Sequence, residues 1–182
     1  REMTIEDGAV VAEIEHQSFS DAWSEKAILE TLEQNNSVCF VAEKAGKRVG
    51  YLLGYTAVDE VEIARIAVID EMKRQGVGHA LMLALKAWSK EHQIAKVLLD
   101  VRESNQAAGA FYAREGFVND GVRKAFYQDP KEDAVLMSLE IDQNCSFLHL
   151  FQKNNPRYAL HEASLFSESH SQLLFLFHTG YK

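Results

Sequence analysis

Apolar residues change their spacing several times along this chain, and each change marks a predicted element. Val10, Val11 and Ile14 recur at helical spacing, which predicts a helix over residues 5–18. Ser24 reads as the N-cap of a second helix over 25–34, ended by Asn35-Asn36. Residues 37–44 and 48–58 are rich in β-formers, and Ala45-Gly46-Lys47 between them signals a hairpin. Residues 60–69 predict the next strand. After a turn, the Ala- and Leu-rich run from Ala80 predicts a helix to about His92. Residues 95–101 predict a buried strand. A helix over 106–115 follows, capped by Ser104 or Asn105 and stopped by Gly116. Residues 117–127 and 133–141 predict two closing strands, and residues 1–4 the end of a first one.

This order predicts an α/β fold with a mixed central sheet of about seven strands and about four helices covering its faces. Residues 1–142 form one expected domain. From residue 143 the character changes: the last forty residues hold seven of the eighteen aromatics and four of the seven histidines. His149, His161, His170 and His178 stand 12, 9 and 8 apart, a spacing that fits no compact metal motif, so no metal is expected.

Charge narrows the partners. Up to Asp142 there are 16 basic and 25 acidic residues, against three and two beyond it. An acidic body is expected to repel nucleic acid and attract cationic substrates. No apolar run is long enough to span a bilayer, the start resembles no signal peptide, and Cys39 and Cys145 lack metal or redox spacing. Cys39 lies in an apolar stretch that suits an inert buried thiol, so a cytoplasmic setting is expected. Oligomeric state is not readable.

The candidate chemistry centres on Lys73-Arg74-Gln75-Gly76-Val77-Gly78-His79, a glycine-bearing turn between a predicted strand and a predicted helix. Free N–H groups at a helix start, the helix dipole and two glycines describe a phosphate cradle. Its pattern is neither Gly-x-Gly-x-x-Gly nor a Walker loop. It resembles the pyrophosphate loop of the GNAT N-acetyltransferases, Gln/Arg-x-x-Gly-x-Gly/Ala, with Lys73 departing at the first position.

The likeness extends along residues 1–141. Val101-Arg102-Glu103-Ser104-Asn105, then Ala110-Phe111-Tyr112 and Glu115-Gly116-Phe117, resembles the V-R-x-S-N … A-x-x-x-Y-x-x-x-G-F signature. Glu132-Asp133-Ala134 and Trp23-Ser24 resemble further elements of the RimI type, the bacterial ribosomal-protein-alanine N-acetyltransferases. The resemblance implies acetyl-CoA as co-substrate, no metal, and a protein N-terminus, of a basic ribosomal protein, as acceptor. The alternatives are the same fold acting on a lysine side chain or small amine, and a non-catalytic acyl-CoA-binding or partner-docking module. It implies Tyr112 as the acid that protonates the leaving thiolate. Asp100 stands where the RimI type carries a glutamate base, one methylene shorter, and Glu62 matches the strand glutamate of histone-type enzymes as the rival base. Ile66, Ala67 and Val68 match backbone positions along the acetyl and pantetheine groups, Asn105 a pantetheine contact, and residues 73–79 the pyrophosphate loop. Phe126, Tyr127 and Trp23 match the acceptor side.

Overall fold

The computed structural model describes residues 1–143. The elements run α1 (Gly8–Ser18), α2 (Glu25–Leu32), β1 (Ser37–Lys44), β2 (Lys47–Ala57), β3 (Glu60–Val68), α3 (Val77–Glu91), β4 (Lys96–Arg102), α4 (Gln106–Arg114), β5 (Val118–Gln128) and β6 (Lys131–Glu140). Short 3₁₀ turns, Ile5–Asp7 and Asp70–Met72, lead towards α1 and α3. Ser24 caps α2 by accepting the Ala27 N–H, and Asn105 caps α4 by accepting that of Ala108.

The six strands lie in the order β1-β2-β3-β4-β6-β5, with β3 and β4 parallel and the other pairs antiparallel. The expected first strand is reduced to one bridge, Glu2 to Phe40, so among the described residues the sheet has six strands rather than seven. Four helices cover its faces. Val11 and Ile14 of α1 and Ile28 of α2 pack with Cys39, Val41, Tyr51 and Leu53 on one face. Leu81, Met82 and Leu85 of α3 and Tyr112 of α4 pack with Leu52, Val61, Ile63, Val97, Leu99 and Val101 on the other. Alternation along the strands divides these two sets, and each fully buried Leu contributes about 1.5–3 kcal/mol. Cys39 is buried, which pushes its thiol above the ordinary range and makes it inert.

Two departures from regular pairing shape the centre. The β3–β4 ladder runs only from Glu60↔Lys96 to Ile63↔Leu99, although β3 continues to Val68 and β4 to Arg102. A bulge on β3 leaves Ala64 without a partner on β2, where the register jumps from Gly54↔Ile63 to Leu53↔Arg65. Among the described residues no helix is long and apolar enough to cross a membrane. The expected tail and its four histidines lie outside the described residues.

Candidate active site

Past Ile63 and Leu99 the two parallel strands no longer bond to each other, which opens a wedge in the middle of the sheet. Ile66, Ala67 and Val68 line one side of it, paired to β2 and presenting an unpaired edge towards β4. A chain of amide groups can hydrogen-bond to such an edge as an added strand would. The cradle sits just beyond. Arg74 has φ +59° and Gly76 φ +86°, and two left-handed residues so close together turn the chain sharply into α3. Ala80 donates the first helical bond, to the Gly76 carbonyl, so the N–H groups of Val77, Gly78 and His79 precede it.

The rest of the loop is held in place. Lys73 pairs with Asp70, and Gln75 donates to the Glu71 carbonyl and accepts from Lys44. His79 and Lys86 of α3 both reach Glu115 after α4, at 2.8 and 3.0 Å. Packing adds a second reason for a glycine at position 78. A Cβ there would meet the Phe111 ring at 3.3 and 3.4 Å, so the glycine admits α4 against α3. Gly76, by contrast, has open space around it.

Asp100 lies on β4 beyond the last β3 pair, on the face opposite Leu99 and Val101. Tyr112 is buried on their side, with Phe111 and Phe117 against its ring. Burial, and then the nearby Tyr127, hold the Tyr112 hydroxyl well above the ordinary phenol range, so it carries its proton. Tyr127 of β5 packs its ring edge-on to Phe126. Burial raises its own hydroxyl, followed by the charge of Asp100, and the Arg102 guanidinium lies over its ring at 4.0 Å. Glu62 shares the Asp100 face but faces Leu98 within the paired part of β3, exposed to solvent. Asn105 commits its side-chain oxygen to the α4 cap and leaves its amide N–H groups unpaired within the described residues. No group of three or more His, Cys, Asp or Glu is placed to hold a metal among these residues.

Residues 9–117 match the family model described as Acetyltransferase (GNAT) family. The chain belongs to that family. It is 33% identical over 144 residues to a Bacillus subtilis (strain 168) protein provisionally named ribosomal protein bS18-alanine N-acetyltransferase, a match spanning 79% of this chain and 95% of that one. The crystal structure of the ribosomal-protein-S18-alanine N-acetyltransferase from Escherichia coli superposes with a TM-score of 0.72 at 30% identity, covering 81% of this chain and 97% of that one. A chain of Bacillus anthracis str. Ames solved in complex with acetyl coenzyme A superposes with a TM-score of 0.57 at 25% identity, over 62% of this chain and 66% of that one. The protein is an N-acetyltransferase.

In this acetyltransferase the residues around the wedge include several that the sequence pattern did not single out. Arg65 on β3 pairs with buried Glu15 and with Asp21, and its guanidinium lies 4.8 Å from the Phe19 ring and 5.3 Å from that of Trp23. The backbone N–H of Trp23 donates to Glu15. Trp23 is thus half-buried in a loop wall that Arg65 organises. Arg123 on β5 pairs with Asp100 and covers Phe126, which is 41% exposed. Arg65 follows the bulge at Ala64, and Arg123 pairs with Ala134, two residues along β6 from Leu136, the partner of Asp100. Neither relation is readable without the strand register.

Proposed function

We propose that this acetyltransferase transfers the acetyl group of acetyl-CoA directly to the N-terminal α-amine of a protein, an Ala-initiated basic ribosomal protein, within a ternary complex. One observation carries the reading. Where β4 has left β3, Asp100 faces one side of the sheet and the buried, proton-bearing Tyr112 lies on the other, beside Leu99 and Val101.

The residues present fit acetyl-CoA. The N–H groups opening α3 and the left-handed Gly76 suit its pyrophosphate, and the unpaired β3 edge at Ile66, Ala67 and Val68 suits the amides of its pantetheine arm. The co-substrate supplies the thioester carbonyl. Asp100, through a water, takes the proton that the amine sheds as its nitrogen bonds to the acetyl carbon. Tyr112 gives a proton to the sulfur as the C–S bond breaks. Direct transfer is supported by Cys39, the one cysteine among the described residues, which is buried in the core under α1 and α2 and offers no thiol to the wedge. Asp100 is favoured over Glu62 as base because only Asp100 lies past the point where the strands part. The B. subtilis and E. coli relatives, by their names, support the alanine α-amine as acceptor.

The test is mass spectrometry of Ala-initiated peptides incubated with enzyme and acetyl-CoA. Acetylation at the α-amine supports the reading. Acetylation confined to lysine side chains or to small amines replaces the acceptor, and acetyl-CoA binding without any transfer makes the chain a docking module.

A further inference from the structure

Two adjacent carboxylates at the start of β6, Glu132 and Asp133, hold segments on either side of it, the turn after β4 and the bulge of β5. Glu132 accepts the backbone N–H of Ser104, in the turn that leads to Asn105 and α4, and lies 3.4 Å from Arg102. Asp133 faces the other way. One of its oxygens accepts the Ala125 N–H at 2.7 Å and the other binds the Lys124 ammonium at 2.6 Å. Both carboxyls are held below the ordinary range, Glu132 first by the Ser104 N–H and Asp133 first by Lys124.

The Asp133 contact occurs at an irregularity in the sheet. The β5–β6 register passes from Arg123↔Ala134 to Tyr127↔Glu132, so Lys124, Ala125 and Phe126 stand opposite Asp133 alone. In a regular ladder Ala125, not Tyr127, would face Glu132. The bulge therefore draws Tyr127 back along β6 to the place where Arg102 covers it. Ala125 turns at φ +50°, a conformation disfavoured for a residue with a Cβ, and its N–H has no strand partner but the Asp133 carboxylate. Arg102 is fixed independently of Glu132, through the Asp129 and Pro130 carbonyls at 3.0 and 3.3 Å.

We propose that these neighbours are positioning residues with divided duties: Glu132 sets the β4–α4 turn on the acetyl-donor side, and Asp133 sets the β5 bulge that presents Tyr127 on the acceptor side. The inference rests on the wedge being the acetyl-transfer site as proposed above. It predicts a split between the two Michaelis constants. Asp133→Ala raises the KM for the acceptor peptide by roughly tenfold or more and leaves that for acetyl-CoA unchanged. Asp133→Asn restores most of the loss, because an amide oxygen still accepts the Ala125 N–H while only the exposed Lys124 pair is missing. Glu132→Ala does the converse, and Glu132→Gln restores it.

Steady-state kinetics of the four variants, with circular dichroism to confirm folding, reads the split. Calorimetric titration with acetyl-CoA tests the Glu132 half with no acceptor present. If wild-type enzyme acetylates a different amine, the Asp133 half is read with that amine, so failure of the acceptor assignment is separable from failure here. Parallel changes in both constants, or Asn and Gln variants as impaired as the Ala ones, overturn the proposal.

Discussion

Arg123 of β5 reaches Asp100 of β4, with its Nη1 3.6 Å from the Asp100 Oδ2. Arg123 is 55% exposed, so the pair contributes roughly 0–1 kcal/mol and an incoming ammonium or water can displace it. Asp100 thus has a cation beside it without being locked to it. A base in this position should be sensitive to loss of charge. Asp100→Asn is expected to lower kcat/KM by roughly 10²–10⁴-fold and to abolish the acidic limb of its pH profile. Glu62→Gln, within the paired part of β3, should keep that limb. Initial-rate pH profiles of both variants decide between them, and an intact limb in Asp100→Asn sends the proton elsewhere.

Tyr112 works as an acid only while protonated. Burial first, and Tyr127 second, raise its hydroxyl above the ordinary phenol value, so the protonated form persists to higher pH than a free tyrosine at about 10. Activity should therefore hold on the alkaline side until pH passes that range. Tyr112→Phe keeps the ring against Phe111 and Phe117 but removes the donor. A fall of roughly 10²–10⁴ in kcat, with calorimetric acetyl-CoA affinity unchanged, is the expected result. Near wild-type turnover with chemistry rate-limiting would make Tyr112 a packing residue.

The two glycines of the cradle should separate by readout. Gly76→Ala meets no neighbour but forces a Cβ into a φ of +86°, at about 1 kcal/mol. Relaxation of that strain tilts the N–H groups opening α3, and acetyl-CoA should bind roughly fivefold more weakly. Gly78→Ala instead presses on Phe111 and should act mainly on the melting temperature. Titration calorimetry and thermal melts on the pair check this, and the reverse assignment of effects would place the phosphate contact at Gly78.

Strand and helix limits were legible to within a few residues wherever a buried face imposed a period: the predicted 37–44 is β1 itself, and 106–115 overruns α4 by one residue. Residues 1–4 misled because their pairing with β1 stops at a single bridge, Glu2 to Phe40, closed by backbone bonds of Arg1 and Met3 to Val41 and Cys39. The Asn105 cap was legible because capping is local. The Arg123–Asp100 pair and the reach of Asp133 were not, since both depend on bulges that shift β5 against β6 without changing its composition. The packing constraint at Gly78 was not legible for a similar reason: the ring that would crowd its Cβ belongs to Phe111, on another helix.

The acceptor can be argued from charge and proton affinity together. The arginines near Asp100 are already matched, Arg65 by Glu15 and Asp21, Arg102 by Glu132, and Arg123 by Asp100 itself. The longer-range field is therefore set by the excess of acidic residues up to Asp142, 25 against 16 basic. That field draws in a cationic peptide and weakens as added salt shortens the screening length from about 10 Å at 0.1 M. Once the peptide is bound, the amine must lose its proton to attack. A terminal α-amine, with a reference pKa of about 7.7–8.0, is partly neutral near pH 7.5, whereas a lysine amine at about 10.4 is almost wholly charged. With an aspartate base acting through water, the α-amine is much the easier nucleophile. Basic Ala-initiated peptides should be acetylated at the α-amine faster than acidic ones of equal length, with an advantage that shrinks as salt rises. Fragment-ion mass spectrometry and a salt series measure both effects, and equal rates on acidic and basic peptides, or label found mainly on internal lysines, would refute this acceptor.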